Sequence, residues 1–536
     1  MDIATLGIFR KMRDVFLRLQ LWRRVERISR EVRENIQSSE KDTPVVFFNA
    51  STRIRDLSQN AAFSLITSWG LELQGIPVVH FTCQSGMSRC VLGAVQGNLI
   101  DAPPCKGCIK NSASFFTGDN THWFSYEVDE HLNADLQGLS LEEMKQYRFR
   151  DRKYGELVLP SMRWVLRRYH LMDDYQTRFL FREFILSAHN IWQKFSVFLE
   201  KHEPQTVVLY NGLFFPEAAA RQAALDQGIR VITHEVGFSP LSGFFTEGLA
   251  PSYPINIPDE FELTSQQNKL LDGYLEERFQ GRFTMAGIEF WPEIQSPGKT
   301  FSDLADRYAQ VVVIFTNVVF DTSQVFANTV FSDMFDWLDC LEEFIRDYQD
   351  TLFIIRAHPD ELRKGKKSKE TVKQWVDNKK VDQLPNVVFW GPDEPVSSYE
   401  LIDLAKFVLV YNSSIGLEAS LMGVAVISAG EARYTHHDTV SYQDDIQDYL
   451  RTVKQFLEAE KIQQPVEHQK NARKFLFYQI FKVSLPFSRF LLEHPNPGFV
   501  RIKNFSWPEL LPENSPTIKT LLEGILAGRD FQMNKD

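Results

Sequence analysis

The chain has 536 residues, of which 43% are hydrophobic and 24% charged, with 5 Cys, 12 His and a formal net charge of −11. These proportions fit two or three folded domains and exclude a disordered or fibrous chain. The acidic balance removes a nucleic-acid footprint from the molecule as a whole. No stretch approaches the roughly 18 consecutive apolar residues of a membrane-crossing helix. The first residues lack the apolar core and cleavage site of a signal peptide, so a cytoplasmic protein is expected.

Residues 1–40 read as one helix. Ile8, Met12, Val15, Leu19 and Trp22 recur at steps of four and three. Between Arg10 and Glu34, nine Lys/Arg stand against four acids. A basic amphipathic helix of this kind either lies on an anionic membrane surface or docks on its own domain with a solvated face.

A strand follows at 43–51 (TPVVFFNAS), then a helix at 61–75 ending at Gly75, then a strand at 76–83. This is βαβ spacing. Four of the five cysteines come next, Cys83, Cys90, Cys105 and Cys108, spaced C-x6-C-x14-C-x2-C. Three readings stay open for them: a structural zinc held by four thiolates, free or redox thiols, and disulfides. The segment 140–203 reads as a helical insertion that opens with a capping box from Ser140 to Glu143. Strands at 206–212 and 230–237 flank a helix with Pro216 at its start and Gly228 at its end. Residues 238–300 are rich in Pro, Gly and Ser and read as the domain linker.

The alternation then restarts, with strands at 311–317, 351–359, 386–391, 407–414 and 424–430 separated by helices. Apolar strands alternating with helices predict an α/β fold with parallel, doubly wound sheets. The units are 41–290 and 300–480, with a tail from 481 to 536 that packs back on them. No G-x-G-x-x-G follows the first strand and no G-x-x-x-x-G-K-[ST] occurs. A dehydrogenase and a P-loop NTPase are therefore disfavoured.

The candidate chemistry sits at strand ends. The strand TLFII runs into Arg356, Ala357, His358 and Pro359, and FVLVY runs into Asn412, Ser413 and Ser414 at a helix start. Ser397 and Ser398 lie in a loop at the same edge, and Arg433, His436, His437 and Asp438 follow the next strand. The carboxyl edge of a parallel sheet is where such folds bind ligands. Cations, imidazoles and helix starts there fit a diphosphate or a nucleotide monophosphate. Glu418, one turn beyond Ser414, can accept hydrogen bonds from sugar hydroxyls. The plain alternatives are an N-cap serine, a first-turn acid and a solvated histidine; His436, His437 and Asp438 also admit a metal, without further ligand spacing to support it.

Four motifs in order, FTNVVFD, RAHPDELRKGKKSKETVKQWV, LPNVVFWGPDEPVSSYELIDLA and VYNSSIGLEASLMGVAVISAGEARY, resemble the bacterial capsule polysaccharide biosynthesis glycosyltransferases. That group includes relatives of the Kdo transferases and, more distantly, sialyltransferases with paired His-Pro and Ser-Ser motifs. The resemblance covers about residues 310–440 well and the first half loosely. It implies a GT-B-like fold, two Rossmann-like domains facing a cleft. The first would take the acceptor, a glycan or lipid-linked molecule, and the second a CMP-, UDP- or GDP-linked sugar.

Carried over by motif, His358, Ser413 and Ser414 meet the donor phosphate, with Arg356, Ser397, Ser398, Asn412 and Arg433 around them and Glu418 near the ribose or sugar. The catalytic base comes from the first domain in such folds, and Glu235, at the end of RVITHEVGF, is the first choice. Asn211, His234 and Asn317 are assigned to acceptor or donor. Ser161 and Arg163 either reach the cleft or form a helix start with a solvated Arg. No acidic-acidic-glycine motif of the sialyltransferase kind is present, which leaves the donor class open. No cofactor is expected for catalysis, and no nucleic acid as partner. The rival functions are a nucleotide-sugar 2-epimerase, a polyol-phosphate transferase and a non-catalytic glycan-assembly subunit.

Overall fold

Short apolar runs with no polar alternation form the central strands of two sheets, because a strand covered on both faces has no solvent side to keep polar. Val45–Asn49, Thr351–Arg356 and Phe407–Val410 are buried along their whole lengths. The computed structural model describes residues 3–38, 43–52, 54–96, 99–116, 118, 120–279, 295–363, 365–462 and 464–533.

The first sheet has seven strands, in the spatial order Leu485–Pro486, Ser242–Thr246, Arg230–Val236, Thr206–Tyr210, Val45–Asn49, Val78–Cys83, Thr121–Phe124. The five from Arg230–Val236 to the edge strand Thr121–Phe124 are parallel, with Val45 opposite both Val78 and Thr206. The Ser242–Thr246 strand is antiparallel to its neighbour, and Leu485–Pro486 is antiparallel to it in turn. The second sheet runs Val387–Trp390, Thr351–Arg356, Gln310–Phe315, Phe407–Val410, Ala425–Ser428, Ser441–Tyr442, all parallel. Numbered by chain order, that is 3-2-1-4-5-6, the Rossmann order, and the first sheet shares its 3-2-1-4-5 part. In both units the chain leaves strands 1 and 4 in opposite directions. Each unit therefore opens a crevice at the carboxyl ends of those two strands. The two crevices line one cleft, the GT-B-like arrangement.

Helices cover both faces of each sheet. In the first unit Val46, Phe48 and Phe81 pack with Phe181, Phe184 and Phe195 of the helix Tyr175–His202. Its other face, with Val45 and Phe47, packs against the helices Gln59–Leu73 and Pro516–Ala527. In the second unit Val313, Ile354 and Val408 meet Leu271 and Phe475, and Ile314 and Phe353 meet Trp337 and Val376.

The tail returns to the first unit: Leu485, Phe487, Ile518 and Leu521 are in its core. The stretch 238–300, read as a linker, is largely built into the two units. Ser242–Thr246 extends the first sheet, and the helix Ser265–Phe279 buries Leu271 and Leu275 in the core of the second. Its Pro, Gly and Ser content hid apolar residues that outweigh it. Residues 280–294 of that stretch lie outside the described residues.

The first helix, Ile3–Glu34, docks through Leu21, Val25, Ile28 and Val32, not through the stripe expected from the sequence. Met12, Val15 and Leu19 of that stripe are exposed, and Trp22 packs in part against the core. The side chain of Ile8 lies outside the described residues.

Candidate functional site

The cleft between the units has a volume of about 970 Å³. Each wall is a set of strand ends.

On the second-unit wall, Thr351–Arg356 ends in Arg356 and leads to His358. The residue before a proline is held extended, and His358 has φ −71° and ψ 130°. Its Nδ1 accepts the N–H of Asp360 at 3.1 Å, which starts the short helical turn Pro359–Leu362. A ring nitrogen that accepts carries no proton, so the neutral imidazole keeps its proton on Nε2. Burial lowers the pKa of His358, against the opposing fields of Asp360 and Asp321. His358 is thus set up as a neutral N–H donor on the cleft wall.

Ser413 and Ser414 follow the strand Phe407–Val410, which lies beyond Gln310–Phe315 in the sheet. Ser414 precedes the helix Ile415–Leu421, but its hydroxyl makes no capping bond. What fixes this turn is Tyr434, whose hydroxyl donates to the Ser413 carbonyl at 2.5 Å. A Cβ on Gly416 would come within 2.5 Å of the Tyr434 oxygen, so only glycine fits there. Asn412 and Asn317 join the two strand ends at the crevice: the Asn412 N–H donates to Asn317 Oδ1 at 3.3 Å. Asn412 Oδ1 in turn accepts from Gln324 at 2.8 Å.

Several residues expected to hold the donor are engaged by the protein itself. Arg356 donates to the carbonyls of Gly391 and Glu394, the latter at 2.7 Å, and so ties down the loop after the third strand. Ser397 caps the helix Ser398–Leu404, accepting from the Glu400 N–H at 3.3 Å; Ser398 lines the cleft. Glu418, expected near the sugar, is 6% exposed and held on both oxygens. Arg278 donates to one at 2.5 Å and Tyr399 to the other at 2.6 Å. Burial opposes the charge of Arg278, but Glu418 more than offsets it and the pKa rises. Glu418 lines the cleft and is already engaged there as the counter-ion of Arg278. Arg433 lines the cleft and stacks on Phe238 and Tyr253, 4.6 and 5.3 Å from their ring centres.

On the first-unit wall, Glu235 lines the cleft. Asn60 donates to its Oε1 at 3.3 Å, the Val236 N–H to the same oxygen at 2.9 Å, and Asn211 to its Oε2 at 2.9 Å. Burial raises its pKa, and these hydrogen bonds pull against that rise. Asn211 sits at φ +60° and is 1% exposed. Its Oδ1 accepts the N–H groups of Leu213 and Phe214 ahead of the next helix. Asn211 therefore positions Glu235 more than it offers groups to a ligand.

His234 corrects the sequence expectation. Successive strand side chains point to opposite faces, so if Glu235 faces the cleft, His234 cannot. It is fully buried, bonded to Ser64 Oγ at 3.0 Å and packed against Phe63 and Phe245. Burial pushes its pKa down to about 3. Ser161 is also internal, accepting from the Phe215 N–H at 2.8 Å, while Arg163 donates to the Tyr169 carbonyl and stacks on its ring.

The four cysteines share the first-unit wall of the cleft. Cys83 and Cys90 each accept from the backbone N–H three residues on, at Gly86 and Gly93, and Cys108 lies 3.2 Å from Ser51 Oγ. All five cysteines are free thiols. Among the described residues no group of three or more His, Cys, Asp or Glu is placed to hold a metal ion. The four-thiolate site suggested by the spacing is thus not preassembled among the described residues. Burial raises the Cys83 pKa and pushes that of Cys90 up to about 12, the protonated, uncharged side of thiol chemistry. His436 pairs with Glu431 and Asp438 with His468, so that trio is likewise dispersed.

The sequence reading missed Arg278, Asn60 and Asp321. Asp321 closes FTNVVFD, lines the cleft and acts on His358. Its place at the end of a quoted motif was a usable signal. Arg278 had none, since it lay in the stretch taken as linker.

Residues 292–475 match the family model described as capsule polysaccharide biosynthesis protein. The match covers residues 292–475 alone, about a third of the chain. That segment holds every second-unit cleft residue from Asn317 to Arg433, whereas Glu235, Asn211 and the four cleft cysteines lie before it. Arg278, too, lies before it. No curated protein matches the chain. Among solved structures, the chain is similar to two Thermosulfurimonas dismutans KpsC proteins. The beta Kdo 2,7 transferase is 12% identical over 59% of this chain and 86% of its own, with a TM-score of 0.33. The beta Kdo 2,4 transferase is 12% identical over 57% and 87%, with a TM-score of 0.35. A putative UDP-N-acetylglucosamine 2-epimerase from Listeria monocytogenes is 10% identical over 92% and 99%, with a TM-score of 0.28. At these scores the fold rests on the strand orders themselves.

Proposed function

We propose that the chain is a glycosyltransferase of capsule polysaccharide assembly, moving a sugar from a nucleotide-sugar donor to a glycan or lipid-linked acceptor. The observation that carries this reading is the pairing across one cleft: His358 and the Ser413–Ser414 turn on the capsule-synthesis wall, Glu235 on the other.

In this reading the donor phosphate sits against the Ser413 and Ser414 hydroxyls and the Nε2–H of His358. The acceptor hydroxyl lies by Glu235, which takes its proton as the acceptor oxygen bonds to the anomeric carbon. The bond from that carbon to the donor phosphate breaks, and the nucleotide leaves with the electron pair. His358 disperses the growing negative charge. A preorganised donor at such a position contributes on the order of 100-fold in rate, and a positioned base about 10²–10⁴-fold. The raised pKa of Glu235 suits a base. The reaction so drawn uses no resident cofactor, and its nucleotide-sugar supply places it in the cytoplasm.

The test begins with thermal shifts in CMP, UDP, GDP and CDP. A nucleotide at about 100 times its dissociation constant adds roughly 2.7 kcal/mol of stability. Ser413→Ala with Ser414→Ala should weaken that nucleotide's binding and leave the fold intact. Equal affinity in the double variant would overturn the phosphate placement. Conversion of a nucleotide sugar to its epimer without acceptor would replace the reading with the epimerase.

A further inference from the structure

The first helix carries two apolar stripes on opposite sides. Leu21, Val25, Ile28 and Val32 face the core of the first unit. Met12, Val15, Phe16 and Leu19 recur at steps of three and one, then three, and form one face. At 3.6 residues per turn that face is turned about half a revolution from the docked one. All four are exposed, Phe16 by 59% and Met12 by 65%. No described neighbour covers them.

The same face continues in charge. Arg23 lies 11 residues beyond Met12 and Arg30 lies 18 beyond, about three and five turns, and both are exposed. The helix as a whole has nine Lys/Arg against four acids, in a chain of net charge −11. Arg24 and Arg27 instead bond the carbonyls of Ile502 and Phe505 and help anchor the helix to its own domain. Glu26 and Glu34 share that exposed face with Arg23, Arg30 and Arg33, so it is apolar toward one end and carries a net positive charge toward the other. An apolar stripe beside basic residues is the composition of a helix that lies in the headgroup layer of an anionic bilayer. No helix among the described residues is long and apolar enough to cross a membrane, so such a helix would lie on the surface.

The position of the stripe supports the same occupant. Arg18, one residue before Leu19, pairs with Asp56 at 3.6 Å. The Asp56 carbonyl accepts from Asn111 at 2.8 Å, on the helix Cys105–Ser112. That helix contributes Cys105, Cys108 and Ile109 to the cleft, next to Ile54. One ion pair and one hydrogen bond therefore link the exposed stripe to the first-unit wall.

We infer that the exposed face of the first helix, Met12, Val15, Phe16 and Leu19 with Arg23 and Arg30, is a docking surface for an anionic lipid bilayer. It holds the first-unit side of the cleft beside the membrane, within reach of an acceptor embedded there. The docking itself does not depend on the glycosyltransferase reading.

Co-sedimentation of the full chain with vesicles tests it without any activity assay. Phosphatidylglycerol–phosphatidylcholine vesicles should carry the protein down, pure phosphatidylcholine vesicles should not, and added salt should release it. Phe16→Glu with Leu19→Glu should abolish binding. Arg23→Gln with Arg30→Gln should weaken it roughly 30-fold, at about 1 kcal/mol per basic residue near an anionic surface. All four side chains are exposed, so the thermal midpoint should stay put in both variants. Failure of the unaltered chain to sediment with anionic vesicles would overturn the inference, as would unchanged binding in both variants. A concentration-dependent dimer that Phe16→Glu with Leu19→Glu dissolves, in a chain that ignores vesicles, would assign the face to a second copy instead.

Discussion

The two walls of the cleft are built on the same strand order and differ in where their chemistry comes from. The second wall takes its cleft residues from short turns directly after parallel strands: His358 after Thr351–Arg356, and Asn412 to Ser414 after Phe407–Val410. The first wall offers two carboxylates, Glu217 on a helix and Glu235 at the end of a strand whose next neighbour is antiparallel, together with the segment 83–108 that carries four cysteines. On the second wall the His358 turn is fixed from two residues away, by the Asp360 N–H, and the Ser413 turn by the Tyr434 hydroxyl 21 residues on. Glu235 is fixed from afar, by Asn60 and Asn211.

The largest expected effect tests the first wall. Glu235→Gln should lower turnover on the order of 10²–10⁴-fold while nucleotide affinity stays unchanged, since the lost group is a base on the acceptor side. In the unaltered enzyme kcat/KM should fall as pH drops through the raised pKa of Glu235, above the ordinary carboxylate value of 4.5. A pH–rate profile of both forms checks this: Glu235→Gln should lose that acid limb. An unaltered limb would move the base elsewhere.

The next effect concerns the buried ion pair of the second unit. Arg278→Met leaves Glu418 buried without its cation, which costs about 3–5 kcal/mol. Arg278→Met with Glu418→Leu should recover most of that, because a buried pair can be replaced by apolar residues at little cost. Urea unfolding of both variants measures it. Should the double variant bind nucleotide as the unaltered chain does, Glu418 is confirmed as a counter-ion; a large loss of affinity in a stable double variant would return it to the donor site.

His358→Ala probes the second wall. Turnover should drop on the order of 100-fold with little change in unfolding midpoint, since the ring fills no core position. If turnover per folded molecule is normal, His358 serves only to start the Pro359–Leu362 turn.

The smallest effect lies at the clasp between the units. His170 of the first unit stands 3.2 Å from Asp333 and 2.7 Å from Glu370 of the second. Hydrogen bonds to Asp333 and then Glu370 raise its pKa from 6.5 to about 10. A raised folded-state pKa gives stability that is full below about 6.5 and is lost as pH rises through about 10. Thermal midpoints should therefore separate His170→Gln from the unaltered chain near neutral pH and converge above that upper value. The ring is more than half exposed, so the gap should stay below about 1 kcal/mol.

Much of this was legible in the sequence. Every central strand announced itself as an apolar run, and the ends of those runs carried Glu235, His358, Asn412, Ser413 and Ser414, all of which line the cleft. The Ser140–Glu143 capping box and Pro216 at a helix start are also as the sequence predicts. These signals are local: strand, turn and cap depend on residues within a few positions of one another. Three things were not local. Neighbouring strand residues face opposite ways, but only the sheet's packing set which way, and it sent His234 inward and Glu235 to the cleft. Glu418 reads as a ligand-binding acid until Arg278, 140 residues earlier, is brought against it. The periodicity of the first helix reads as one stripe, through Met12, Val15 and Leu19, and the fold instead docks Leu21, Val25, Ile28 and Val32 and leaves that stripe exposed. Sequence determined which residues stand at strand ends, because backbone and neighbouring side chains decide that. Tertiary structure decided which of them keep their polar groups for a ligand, because a buried charge takes whatever partner the fold places beside it.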